Sequence, residues 1–405
     1  MTAGRYSRRV SALERYSLVL NAVYRYHVDG VLEGQGEVSP QKLQEAVNRA
    51  AAANTGIRVR FRGFLAFSRW VDSGIAPQVR VMPLSDWDGA SEQGAPFLEE
   101  KLAPRRGMPI ADVLLVPCRD GATRIVFRTL HAAIDGRGCL HWIGEVCRAL
   151  RGEPLLGSDS RLTDLDVQEQ YKAQIPTEPE TPPPACIPVL QPSPQEHLPL
   201  RFVWRRVIID RNVSNLLTKA AAFLAQWARR QQTGPVGFTI PVDYRGFRVQ
   251  EMGVGNLTGY VRLSVDEQAT PRSLVQQLNQ RLKAFADCRQ FPGVRVLFWL
   301  PVWFMTRQLR PKIDAILHTV TPALPSGGVV SMGNVKAEQF HFPGFTATRL
   351  FGIPGAVGKL NLVFINYPDH IAACFAAPAA YNHDGQLDEL VAAFRQHFSQ
   401  SGSTP

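Results

Sequence analysis

Between Gln174 and Leu200 the chain runs "QIPTEPETPPPACIPVLQPSPQEHLPL". Proline fixes φ and lacks an N–H, so so dense a run forbids helix and favours an extended, semi-rigid connector. It falls near the middle of 405 residues, a length beyond that at which one hydrophobic core usually stops growing. Two lobes of comparable size are therefore expected, an N-terminal one over residues 1–173 and a C-terminal one over 201–405. The connector, 174–200, is expected to cross the surface between them.

On both sides of the connector helical and strand periodicities interleave. "GEVSPQKLQEAVNRAAAANTG" places Ser39 as N-cap, Pro40 at the first helical position and Leu43, Ala46, Val47 and Ala50 on one face, up to Gly56. Strand-like runs follow in "IRVRFRGFLAFSRWV", "IADVLLVPC" and "TRIVFRTL", the last delivering the chain to His131. Leu140, Ile143, Val146, Cys147 and Leu150 then form a helical stripe. Beyond the connector, "RFVWRRVIID" and "VGFTIPVDYRG" predict strands, and "NVSNLLTKAAAFLAQWARRQ" and "ELVAAFRQHF" predict helices. An α/β or α+β sandwich in each half fits this alternation; no solenoid repeat is visible.

Several classes are excluded early. The N-terminus has no continuous apolar segment or small-residue cleavage site, so export is not expected and a cytoplasmic protein is. The most apolar window, Val296–Met305, is about half the length a spanning helix needs; it is expected to be buried core or pocket wall, and no membrane span is predicted. Six scattered cysteines without a C-x-x-C pair predict free thiols in a reducing compartment. The net charge of +10 is uneven: residues 1–170 hold 22 basic against 20 acidic side chains and the remainder 23 against 15. That C-terminal excess suits a phosphate-bearing partner, and equally an arginine-rich composition, with 37 Arg beside 8 Lys. No basic run, zinc spacing or ribonucleoprotein signature points to nucleic acid.

The stretch "TLHAAIDGRG", Thr129 to Gly138, sets His131 at a strand-to-helix turn, four residues before Asp135 and ahead of Gly136 and Gly138. Histidine is the side chain most easily poised as a base near neutral pH. A buried structural histidine is the competing reading. A metal pair is disfavoured, because no third or fourth ligand stands nearby. Glycines directly after the turn imply either an unusual φ or a close backbone approach.

His131, Asp135 and Gly136 match the H-x-x-x-D-G signature, and this chain resembles the acyltransferase superfamily that carries it. That superfamily includes chloramphenicol acetyltransferase, plant BAHD enzymes, wax ester and polyketide-associated acyltransferases, and the condensation domains of nonribosomal peptide synthetases. "PVDYRG" (Pro241 to Gly246), "GVGNLTGY" (Gly253 to Tyr260) and "VSMGNV" (Val330 to Val335) are similar to further segments of these enzymes, in the same order. Condensation domains usually carry two adjacent histidines; the first of that pair is Leu130 here, so the pattern is the single-histidine one.

The resemblance implies two chloramphenicol-acetyltransferase-like sandwich lobes in a V-shaped pseudo-dimer around a tunnel, and His131 as the general base of acyl transfer. Asp135 would pair with Arg245, with Asp243 as a second orienting residue. Asn256, Ser331, Asn334 or backbone N–H groups are candidates to hold the oxyanion or substrate. The implied donor is an acyl thioester of coenzyme A or of a carrier-protein phosphopantetheine arm, with no covalently bound cofactor and no metal. The acceptor would be a small alcohol or amine, and the protein a monomer of secondary metabolism. Two alternatives share the fold: a stand-alone condensation-type enzyme working on carrier-bound substrates, and a non-catalytic carrier-docking module. No G-x-S-x-G element favours a covalent hydrolase.

Overall fold

The computed structural model describes residues 6–102, 110–176, 185–193, 201–290, 293–318, 324–355 and 358–400. Before the connector the elements are β1 (Ser7–Arg9), α1 (Ala12–Val23), β2 (His27–Gly36), α2 (Pro40–Ala53), β3 (Val59–Arg62), β4 (Arg69–Asp72), β5 (Val79–Val81), β6 (Ala111–Pro117), β7 (Thr123–Leu130), α3 (Gly136–Leu150) and α4 (Asp164–Gln170). After it come β8 (Phe202–Ile209), α5 (Leu216–Arg229), β9 (Val236–Asp243), β10 (Thr258–Val265), α6 (Pro271–Lys283) and α7 (Val302–His318). The chain closes with β11 (Gly327–Asn334), β12 (Phe345–Ile353), β13 (Asn361–Asn366), β14 (Ile371–Pro378) and α8 (Gln386–Gln400).

Local chemistry explains many boundaries. The Ser39 side chain accepts from the Lys42 N–H at the start of α2, with Pro40 in the first turn where its missing N–H costs nothing. "IRVRFRGFLAFSRWV" is not one strand: Gly63 at φ 84° breaks it into the β3–β4 hairpin, and a Cβ at Gly63 would lie 2.4 Å from the Phe67 carbonyl.

Two larger sheets carry the two halves. One has the order β12-β2-β7-β6-β5, the other β10-β9-β11-β13-β14-β8. Each packs helices over a core of its own, α2 and α3 on the first and α5 and α8 on the second. Strand β12 belongs by sequence to the C-terminal half, yet it pairs antiparallel with β2 from Phe345↔Gly36 to Ile353↔Asp29. The expected C-terminal lobe of 201–405 is therefore not closed on itself. The physical reason lies in β14, which is buried along its whole length. Ile371, Ala373, Phe375 and Ala377 face the second core, while Ala372, Cys374 and Ala376 face the first. A strand buried on both faces needs cover on each, and β12 provides it on one.

Two further expectations are corrected. The described part of the connector does not simply cross the surface: Cys186, Ile187, Val189 and Leu190 are buried, and the Ile187 N–H donates to the Pro235 carbonyl at 2.9 Å. Apolar side chains between the prolines anchor it to the second core; residues 177–184 and 194–200 of that segment lie outside the described residues. The window Val296–Met305 is not buried core either. Met305 is buried against α1, but Val296, Trp299, Trp303 and Phe304 are exposed, because only one side of α7 and of the turn ahead of it meets α1. None of the six cysteines is in a disulfide, as expected, and all six are buried. No helix among the described residues is long and apolar enough to cross a membrane.

Candidate active site

Strand β7 ends at Leu130, whose buried side chain packs in the first core, and the next residues turn into α3. Asp135 caps that helix: its Oδ1 accepts the Gly138 N–H at 2.7 Å. Its Oδ2 accepts from Arg245 Nη1 at 3.1 Å, the Leu257 N–H at 2.8 Å and Thr258 Oγ1 at 3.0 Å. Burial pushes this carboxyl up. Arg245 and the Gly138 and Leu257 N–H groups outweigh it and hold Asp135 below the usual carboxylate range. Both carboxylate oxygens of Asp135 are thus engaged by the turn or by the opposite half of the chain, and none of its hydrogen bonds goes to His131.

Arg245 is the other side of this lock. Its Nη1 also donates to Asp243 Oδ1 at 2.7 Å, Nε to the Gly253 carbonyl at 2.6 Å and Nη2 to the Gly255 carbonyl. The planar fork of a guanidinium is suited to so many acceptors at once. A second arginine repeats the arrangement from the N-terminal half: Arg137 Nε meets Asp243 Oδ2 at 3.2 Å and Nη1 donates to the Met332 carbonyl at 2.6 Å. On a third side, Arg8 Nη2 donates to the Ala133 carbonyl at 3.0 Å while its Nη1 pairs with Glu14 at 2.7 Å. The turn between His131 and Asp135 is braced from three directions.

His131 sits on this braced turn, deep between the halves yet partly exposed. The Tyr26 ring stacks on it with centroids 4.7 Å apart and 12° between planes. Asn256 Nδ2 donates to the His131 backbone carbonyl at 3.1 Å. The imidazole Nδ1 lies against its own backbone and has no hydrogen-bond partner of adequate geometry among the described residues. Burial lowers the imidazole below its ordinary value, and the weaker opposing pull of Asp135 does not reverse this.

The structure brings His131, Asp135, Arg245, Asp243 and Asn256 into one connected cluster. Ser331 and Asn334 stand exposed on β11, where the pairing with β13 is irregular between these two residues. Neither hydrogen-bonds to His131; Ser331 Oγ accepts the Gly333 N–H at 3.3 Å. Their neighbour Met332 is the residue that reaches the turn, its thioether 3.0 Å from where a Cβ on Gly136 would be. Tyr26, Arg137 and Met332 were not singled out from sequence. Arg137 and Met332 lie inside the stretches "TLHAAIDGRG" and "VSMGNV", and Tyr26 outside both; nothing local marks them, since each acts through a contact between distant segments.

The two glycines have different reasons. Neither lies at positive φ, so unusual backbone is not the cause. A Cβ on Gly138 would stand 2.2 Å from the Val254 carbonyl oxygen and 2.8 Å from its carbon, both backbone atoms. On Gly136 it would meet only the flexible end of Met332. Gly138→Ala is therefore expected to lower stability by roughly 1–3 kcal/mol through overpacking. Gly136→Ala, which gains helix propensity, should stay within about 1 kcal/mol of the parent. Denaturant melts of the two proteins check this, and equal effects would contradict the close approach of Val254.

No family model matches the sequence, and no curated protein is significantly similar to it. Solved structures are similar over nearly the whole chain. The first condensation domain of the CDA synthetase aligns at TM-score 0.65 and 15% identity, covering 100% of this chain and 98% of that one. The starter condensation domain of rhizomide synthetase, in a mutant form in complex with C8-CoA, aligns at TM-score 0.66 and 15% identity over 98% and 96%. The condensation domain from Monacolin K polyketide synthase aligns at TM-score 0.64 and 10% identity over 98% of both chains. The chain has the condensation-domain fold. The two-lobed, chloramphenicol-acetyltransferase-like architecture expected from sequence is therefore the one present. Within the condensation-domain fold, the braced turn carrying His131 joins the two halves through Arg245, Arg137 and Asn256.

Proposed function

We propose that this protein transfers an acyl group from a thioester, on coenzyme A or on the phosphopantetheine arm of a carrier protein, directly to an alcohol or amine, with His131 as general base. The observation that supports it most is the placement of that imidazole: it is held on a braced turn with no side chain among the described residues hydrogen-bonded to Nδ1, and burial lowers it below its ordinary value, which favours the neutral form. A structural histidine buried for stability would be expected to have that nitrogen satisfied. Two relatives in fold add support, since rhizomide synthetase starter domains were captured with C8-CoA, one of them also with Leu-SNAC.

In the proposed reaction the acceptor O–H or N–H gives its proton to Nε2 of His131, the ring nitrogen that is not enclosed, as its heteroatom attacks the thioester carbonyl. The tetrahedral adduct collapses, the C–S bond breaks, and the thiolate leaves with the proton returned by the imidazolium. One remaining N–H of the Asn256 amide, or a backbone N–H of the turn, is proposed to meet the developing oxyanion. Asp135, Arg245 and Asp243 are positioning residues in this scheme. Depletion of thioester from a panel of acyl-CoAs and acyl carriers, each with alcohol and amine acceptors, tests the reading. No turnover above the His131→Ala background with any pair would reject it.

A pH profile follows from the same imidazole. The base works only when neutral, and burial keeps its conjugate acid weaker than an ordinary imidazolium. The acid limb of kcat/KM should therefore fall below pH ~6.5, the unperturbed value. A limb at or above that pH would contradict the buried environment of His131.

A further inference from the structure

Nothing in the reaction uses the aromatic surface formed around α7 and the β3–β4 hairpin. Phe67 is 78% exposed, Trp303 66% and Trp299 64%, and Phe64, Val296 and Phe304 stand beside them in sequence, also exposed. The two segments form one surface. Arg15 is buried beneath them and its guanidinium donates to the Leu65 carbonyl at 2.9 Å, the Leu297 carbonyl at 2.9 Å and the Leu300 carbonyl at 2.6 Å. That single cation ties the hairpin tip to the segment ahead of α7. A contiguous exposed apolar patch of this kind marks an interaction site.

Charge identifies the occupant. Residues 288–313 contain Arg289, Arg295, Arg307, Arg310 and Lys312, of which Arg295 pairs with Glu169 at 3.0 Å; residues 56–71 contain Arg58, Arg60, Arg62 and Arg69, of which Arg58 pairs with Asp72 at 2.9 Å, so Arg307, Arg310 and Lys312 weigh most in this assignment. Along α7 the exposed aromatics Trp303 and Phe304 are followed within two turns by exposed Arg307, Arg310 and Lys312. Tryptophan and phenylalanine at protruding tips with arginines one to two turns behind match the layering of a bilayer surface, where rings enter the headgroup boundary and cations meet lipid phosphates. We infer that this face docks the protein peripherally on an anionic lipid bilayer. Trp299, Trp303 and Phe67 insert, and Arg307 and Arg310 lie at the level of the phosphates. The helix is too short and too polar to span, so the contact is with one leaflet only.

The inference does not rest on acyl transfer, because vesicle binding is read without turnover. Co-sedimentation with phosphatidylcholine vesicles, with and without phosphatidylglycerol, measures it. The intact protein is expected to partition onto the anionic vesicles and to be released as salt shortens the screening length from about 10 Å at 0.1 M to about 3 Å at 1 M. Trp299→Ser/Trp303→Ser should lose at least roughly a hundredfold in partitioning, each ring being worth more than about 1.4 kcal/mol, a factor of about ten, on burial. Arg307→Gln/Arg310→Gln should lose roughly fivefold per charge, from about 1 kcal/mol for each basic residue near the surface.

Brominated lipids should quench the fluorescence of the parent and much less that of the double tryptophan variant, since Trp70, Trp87, Trp142 and Trp204 are buried and Trp227 lies on α5 against the second core. This readout and the arginine variant keep the test decisive even where removing the tryptophans unfolds the protein. Absence of binding to anionic vesicles would overturn the inference, as would equal binding by all variants. So would a face that instead, with vesicles ignored, retains an acidic carrier protein or a second copy of the chain through Trp299 and Trp303.

Discussion

His131→Ala is expected to lose acyl transfer by a factor of roughly 10² to 10⁴, the usual contribution of a positioned general base, with little change in thermal midpoint. The second half of that statement separates the two roles a buried histidine can have. Its ring makes a stacking contact with Tyr26, and the hydrogen bond from Asn256 goes to its backbone carbonyl, which alanine retains. What the substitution removes is therefore a titrating ring and one aromatic contact. Full activity in the alanine variant would end the catalytic assignment, and a protein that unfolds would return His131 to a structural role. Single-turnover rates with the best thioester, paired with calorimetry, read both at once.

Arg245→Ala should behave in the opposite way, lowering stability by roughly 3–5 kcal/mol because it strands a buried carboxylate. Asp135 would keep its bonds to Gly138, Leu257 and Thr258, and Asp243 its bond from Arg137, which moderates the loss, but the carbonyls of Gly253 and Gly255 would lose their donor as well. Activity should fall with stability, since the turn that holds His131 is released. Arg245→Lys should rescue little: one ammonium cannot reach acceptors spread around a planar fork. Asp135→Asn is expected to show the same coupled loss, in contrast to His131→Ala. A full-activity, unshifted Arg245→Ala protein would show that the ion pair braces nothing.

Much of the secondary structure was legible because its causes are local. Ser39 and Pro40 start α2, the run from Thr123 to Leu130 is β7 from end to end, and the stripe from Leu140 to Leu150 lies on α3. Caps, periodicity and proline sterics act within a few residues, so a window of sequence contains them. The pairing of Asp135 with Arg245 was anticipated through the resemblance and is present at 3.1 Å. Its companions were not anticipated. Arg137 on Asp243, Arg8 on Ala133 and Tyr26 on His131 each join segments far apart in the chain, and nothing in their local sequence distinguishes them from solvated arginines or a core tyrosine.

The same contrast governs the larger errors of expectation. By itself the sequence determined where many of the helices and strands begin, and that a histidine stands at a strand-to-helix turn before two glycines. Only the tertiary structure decided that β12 crosses to the first sheet, that Cys186 to Leu190 are buried, and that Val296, Trp299, Trp303 and Phe304 face outward while Met305 does not. It also decided that Gly138 rather than Gly136 is the glycine against backbone. Apolar character says that a side chain gains by leaving water, but not which surface will cover it. That depends on what distant strands leave uncovered, as β14 does on one face for β12, and as α1 does not for Trp299 and Trp303.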